Sequence, residues 1–168
     1  MGSLTLVSWH TGAGIGGASL CTVLDMLDVW YDWGFVCLQE HSMDLGSSTF
    51  HSLGNHLLVS GRKLPHRAAP SVLNNSRFKR FVVKPRVRVW SGGVAVPLRL
   101  DGRLITVVSV PLPHSTRRRT CFADTLQETA ARLAGSGFLR VGMDAIAQVC
   151  IDPLKALFTH YSRVCAQT

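Results

Sequence analysis

Lysine and arginine are missing from the first 61 residues of this chain. That stretch carries five carboxylates, Asp25, Asp28, Asp32, Glu40 and Asp44, so all 18 basic residues and the other five acids fall in residues 62–168. Such a division argues against an evenly mixed solvated surface and for a basic one that faces a polyanion, nucleic acid above all. No run of about 18 apolar residues occurs, so no bilayer-spanning helix is expected. The N-terminus has no basic region ahead of an apolar block, and no secretory leader is read there. Five cysteines are scattered without a CxxC pair, and the seven histidines lack zinc-finger spacing to them. Structural zinc is therefore not expected. The cysteine pattern reads as reduced, mostly buried thiols in an intracellular protein, nuclear or cytoplasmic.

Linkers, repeats and low-complexity segments are also lacking, so residues 1–168 read as one domain. At 168 residues, 46% hydrophobic and 17% charged, the chain has the material for a substantial core. "LTLVSW", Leu4 to Trp9, is a short β-branched run that predicts a strand. After a glycine-rich loop, Leu20, Leu24, Leu27 and Tyr31 recur at helical spacing, with Asp25, Asp28 and Asp32 on the other side. Ser19 is the expected N-cap and Gly34 the stop. "FVCLQEH" then reads as a buried strand over Phe35–Gln39, with His41 continuing a polar strand end.

The loop "GAGIGG" satisfies the bare GxGxxG pattern through Gly12, Gly14 and Gly17, which raises a dinucleotide-binding alternative. The later chain speaks against it, because it turns into hairpins in place of further βαβ units. "NHLLVSG" reads as a strand with a turn at Gly61. "GGVAVPLRL" and "LITVVSVPL" form a hairpin through Asp101-Gly102-Arg103. Val94, Val96 and Leu98 alternate with small or polar neighbours, as in a half-buried strand. Phe122, Leu126, Thr129 and Leu133 predict a second helix, "FLRVGMD" a strand, and Asp152-Pro153 the start of a terminal helix. Two basic runs stand out, "RFKRFVVKPRVRV" with Arg77, Lys79, Arg80, Lys84 and Arg86, and Arg117, Arg118 and Arg119. Either run alone also suits a solvated strand face or loop.

Glu40 and Asp144 each directly follow a buried apolar strand. Strands of one sheet running in the same sense would bring both acids to one rim, with His10 beside them. Hard oxygen donors so gathered suit Mg2+ or Mn2+, which stabilises charge on a phosphoryl group. Each acid taken alone is more often a solvated strand-end residue. Trp9, Trp30 and Trp33 read as core, His114 as a loop residue, and His10 also as a partly buried histidine bonded to backbone.

In that order, "LVSWHTGAG", "FVCLQEH", "GRLITVVSVPLPHS" and "LRVGMDAI" resemble the endonuclease/exonuclease/phosphatase superfamily over residues 4–146. The likeness is to the apurinic-type endonucleases of non-LTR retrotransposons. The resemblance implies a two-sheet α/β sandwich, incomplete on its C-terminal side, that hydrolyses phosphodiesters with Mg2+ or Mn2+. It makes Glu40 the metal ligand, Asp144 the residue that aligns or activates water, and Gln39 a supporting neighbour. His10 and His114 are carried as further catalytic candidates, and the basic runs as the nucleic-acid contact, with DNA favoured over RNA. Four positions depart from the family pattern: His10 stands for an asparagine, Met143 for a glycine, Ile146 for a second asparagine and Pro111 for the tyrosine or histidine that precedes the proline loop. The chain also reaches Thr168 without the family's terminal Asp-His pair, His160 having no aspartate before it. Weak or absent hydrolysis is expected, as is self-association through open sheet edges. The alternative within the same fold is a non-catalytic, basic nucleic-acid-binding remnant.

Overall fold

The computed structural model describes residues 5–10, 17–30, 32–41, 43, 45–62, 69–90, 92–111 and 138–143. The expected helix over Phe122–Leu133, the terminal helix after Asp152 and the glycines Gly12, Gly14 and Gly16 lie outside these residues.

Apolar residues on alternate sides of β2 (Phe35–His41) decide the layering. Phe35 and Cys37 face one way and Val36 and Leu38 the other, and all four are buried. A strand buried on both faces needs a layer on each side. On one side lies α1 (Gly17–Trp30), whose Leu20 and Leu24 pack with Trp33, Val36, Leu38, Leu58 and Leu73. On the other lies a second sheet, whose Val94, Val96, Leu98 and Val107 meet Phe35, Cys37, Val59 and Val72. Each such side chain, fully removed from water, contributes about 1.5–3 kcal/mol.

The first sheet has the order β1-β2-β5-β4-β3, with β1 (Leu6–His10), β3 (Phe50–Leu53), β4 (His56–Ser60) and β5 (Ala69–Asn74). β1 and β2 are parallel, and the other pairs are antiparallel. The second sheet has the order β6-β7-β8-β9, formed by β6 (Arg88–Trp90), β7 (Gly93–Leu100), β8 (Arg103–Val110) and β9 (Phe138–Met143). Here β8 and β9 are the parallel pair. This is the expected two-sheet α/β sandwich.

Several local readings change. α1 begins at Gly17, two residues ahead of the expected Ser19 cap. β2 runs on through Glu40 to His41, and its polar end is interior: Gln39 and His41 are 0% and 2% exposed. β7 is not half-buried, because Ala95 on its second face is as enclosed as Val94 and Val96. Its turn to β8 is two residues long, Asp101 (φ 48°) and Gly102 (φ 75°), with Leu100 paired to Arg103. Both turn residues take the positive φ that a tight hairpin matching strand twist requires. Gly61 is no turn; its N–H donates to the Pro70 carbonyl at 2.7 Å. Of the two described thiols, Cys37 is buried but Cys21 is exposed.

A polar clasp ties the C-terminal end of α1 to the sheet. Asp28 accepts from the Trp33 indole N–H at 2.7 Å and pairs with His56 Nε2 at 3.0 Å. His56 Nδ1 accepts the Ser76 N–H, so the ring carries its proton on Nε2 and donates it to Asp28. Trp33 itself is fully enclosed, with its ring centre 5.0 Å from that of His56.

Candidate active site

The C-terminal ends of the two parallel strand pairs lie at one end of the sandwich. The Ser109 hydroxyl of β8 donates to the Leu38 carbonyl of β2 at 3.0 Å, and the Cys37 thiol lies 3.5 Å from the Val108 carbonyl. These bonds bring the end of β2 against the end of β8. The parallel registers extend the alignment sideways. His10 pairs with Gln39 in the first sheet, and Ser109 and Val110 pair with Gly142 and Met143 in the second. β9 also lies against β1 and β2 across the interface. The acids' parent strands therefore belong to different sheets, not to one as the sequence reading assumed. They share an end because the sheets stack with both parallel pairs running in the same sense.

At this rim β2 departs from regular pairing. Leu38 opposes Ser71 but His41 opposes Ala69, so β2 spends three residues where β5 spends two. The extra residue is a bulge, which resets side-chain alternation. Before it, Gln39 shares the inter-sheet face and donates to the Ser8 hydroxyl at 3.1 Å. After it, His41 joins the helix-side face, with Nε2 2.6 Å from the Ser71 hydroxyl. Glu40 sits in the backbone between these two anchored residues. Its side chain and that of His10 are not described, and His114, Arg117, Arg118, Arg119, Asp144 and Ile146 lie outside the described residues. Among the described residues no three of His, Cys, Asp and Glu gather as a metal-binding group.

Beside the end of β2 opens a cavity of about 410 Å³, lined by His41, Ser48, Ser60, Arg62, Ala69 and Val89 among others. Arg62 is a cation that sequence reading left unassigned; it lies just past a strand end, which was its only signal.

The basic run is neither a strand face nor a plain loop. Lys79–Phe81 and Lys84–Arg86 are two short 3-10 turns, and β6 follows. Pro97 explains the irregularity. Its carbonyl accepts from Val83 N–H at 2.8 Å, so the side of Pro97 that faces this segment has no N–H to offer. Pairing survives only as a Val82–Leu98 bridge and the short β6 ladder. Arg77, Lys79, Arg80, Lys84, Arg86 and Arg88 are exposed along this edge, and no Asp or Glu occurs between Asp44 and Asp101. Arg77 is already committed, its guanidinium paired with Asp32 at 2.5 Å and donating to the Trp33 carbonyl. Arg80 and Lys84 lie over the rings of Phe81 and Phe50.

No family model matches the sequence, and no curated protein matches it. Twelve chains of known structure match the fold. One is the endonuclease domain of TRAS1, a telomere-specific non-LTR retrotransposon, with TM-score 0.57 and 12% identity. That match covers 86% of this chain and 59% of the TRAS1 domain. The chain has the endonuclease/exonuclease/phosphatase fold. A second match, humanized D. rerio TDP2 with 14 mutations, has TM-score 0.52 and 11% identity, covering 87% of this chain and 63% of that one. The chain thus spans about three fifths of the length of these neighbours. The endonuclease/exonuclease/phosphatase sandwich replaces the dinucleotide alternative. A Rossmann unit needs an open parallel sheet, whereas here antiparallel pairs dominate both sheets.

Proposed function

We propose that this chain is a divalent-metal-dependent phosphodiesterase domain of endonuclease type, acting on nucleic acid with weakened hydrolysis. The observation that carries the reading is the Ser109–Leu38 bond, which holds the ends of β2 and β8 together and, through the parallel registers, gathers the ends of β1 and β9 with them. Glu40 follows Leu38 by two residues, and Asp144 follows Gly142, the partner of Ser109, by two.

The donor chemistry fits Mg2+ or Mn2+ in kind, since both acids offer hard carboxylate oxygens and no Lys or Arg occurs in the 61-residue stretch that holds Glu40. Glu40 would hold the ion, which supplies stabilisation of phosphoryl charge when bound. Asp144 orients the attacking water. Gln39 and His41, interior and hydrogen-bonded, fix the backbone on either side of Glu40, so its placement costs little reorganisation. His10 and His114 are the remaining catalytic candidates, and the exposed cations hold the phosphate backbone. Weak turnover follows from His10, Met143 and Ile146: an imidazole is a softer ligand than an amide oxygen, and isoleucine cannot orient anything by hydrogen bonding.

The test is cleavage of plasmid DNA and of RNA with Mg2+ or Mn2+, with a chelated control. Slow cutting that Glu40→Ala and chelation both abolish is expected, with DNA the better substrate. Robust cutting would overturn the weakened-activity reading, and cutting that survives Glu40→Ala would remove Glu40 from the site. A second reading, a non-catalytic nucleic-acid-binding module, is favoured by the acid-free basic edge. It predicts salt-sensitive binding, no cleavage, and indifference to Glu40→Ala. Self-association through sheet edges such as β1 and β3 is proposed alongside and is read by the oligomeric state in solution.

A further inference from the structure

The cations nearest the broken ladder border an open hollow well away from the rim. Arg80, Lys84 and Arg99 line an open cleft of about 550 Å³ together with Phe81, Val82, Val83 and Pro85. Arg99 comes from β7 and the other two from the 3-10 segment that Pro97 prevents from pairing fully. None of the three forms an ion pair with a described residue. No carboxylate lines the cleft among the described residues. Three like charges line it with no carboxylate partner among the described residues, an arrangement that favours a bound anion. The rings beneath Arg80 and Lys84 hold two of the cations by their stems and faces.

The position of the cleft separates it from hydrolysis. Along β7, Val94 pairs with Ser109 at the rim, while Arg99 pairs with Leu104 beside the hairpin turn. Five residues of strand, about 16 Å at 3.3 Å per residue, lie between them. The intervening edge is also basic: Arg86 and Arg88 are exposed between the cleft and Trp90, and Trp90 pairs with Gly93 at the rim end.

We infer that the Arg80–Lys84–Arg99 cleft is a second phosphate-binding site, which holds a backbone phosphate of the nucleic acid about 16 Å from the rim. This rests on the nucleic-acid reading above and adds a location and a third cation, Arg99, to it. The spacing suits a strand laid along the edge of β6, with Arg86 and Arg88 contacting the phosphates in between. The ligand is a phosphodiester chain, because an isolated phosphate would use only the cleft and leave the track beyond it idle.

The test measures binding of a duplex of about 25 base pairs across a salt series for the full chain and for Arg99→Glu, Lys84→Glu and Arg103→Glu. Arg103 sits across the turn from Arg99 and does not line the cleft, so its reversal makes the same change in net charge elsewhere. Arg99→Glu and Lys84→Glu should each weaken binding about tenfold and flatten the salt dependence by about one ion, with Arg103→Glu near the parent protein. Equal losses in Arg99→Glu and Arg103→Glu would overturn the site, since only net charge would then matter. ATP that binds these cations when the duplex does not would overturn the assignment to a phosphodiester chain. Cleavage lost in Glu40→Ala while Arg99→Glu binds normally would remove this site and leave the proposed activity standing.

Discussion

The rim and the edge of this molecule handle polar groups in opposite ways. At the rim, Gln39, His41, Ser71 and Ser109 are buried and hydrogen-bonded, two of those bonds to side chains on neighbouring strands and one across the sheets. Along the edge from Arg77 to Arg88, every cation is exposed and only Arg77 has a carboxylate partner among the described residues. Buried bonded groups fix geometry, because moving them leaves a desolvated donor or acceptor unmet. Exposed cations fix little but sum to a field that attracts a polyanion. Under the proposed function, position-sensitive chemistry belongs to the rim and affinity to the edge.

Substitutions at the two regions should separate cleanly. The largest effect is expected from Glu40→Ala, which should lower cleavage about a hundredfold or more while duplex affinity changes less than tenfold, as measured by single-turnover assay and anisotropy. Loss of both together would mean that the rim also supplies affinity and would break the division. Next comes Trp33→Ala. This enclosed indole bonds Asp28 and packs in the helix-side core, so its removal should cost about 3–5 kcal/mol in urea unfolding. Gly93→Ala should cost about 1–3 kcal/mol, because the added methyl would collide with the Trp90 ring and come within 2.6 Å of Val110 Cγ1. Since Gly93 is where edge and rim meet, both cleavage and affinity should fall in that variant. A change in only one would show that the two regions are independent even at their junction.

What could be read from the sequence followed local periodicity. α1 was legible because Leu20 and Leu24 recur at helical spacing and do form its buried face. The β7–β8 hairpin was legible because Asp-Gly marks a two-residue turn at φ > 0. β3 was missed, although Gly54 (φ 55°) and Asn55 separate it from β4 by the same kind of two-residue signal; "FHSL" is too polar to read as a strand alone. The bulge at Glu40 was out of reach, because it exists only relative to β5, about thirty residues later in the chain. The shared rim was anticipated for a partly wrong reason. Strand-end acids pointed to it, but the strands share an end because two sheets stack, which Ser109 and Leu38 record and no periodicity encodes. The basic run was seen as charge, yet its shape depends on Pro97, a residue fourteen positions beyond its partner Val83 that denies the run a full ladder.

Arg86→Ala should have the smallest effect and constrain the comparison most. The side chain is exposed on the second 3-10 turn, has no ion pair among the described residues, and does not line the distal cleft. Its loss should therefore change unfolding free energy by no more than about 0.5 kcal/mol. The same substitution should reduce the salt slope of duplex binding by about one and leave the cleavage rate of bound substrate unchanged. That pattern separates a cation that serves affinity alone from one that also holds the edge in place. A stability loss as large as that of Gly93→Ala would mean that the basic segment is part of the framework, and the contrast between a structural rim and a merely charged edge would fail there first.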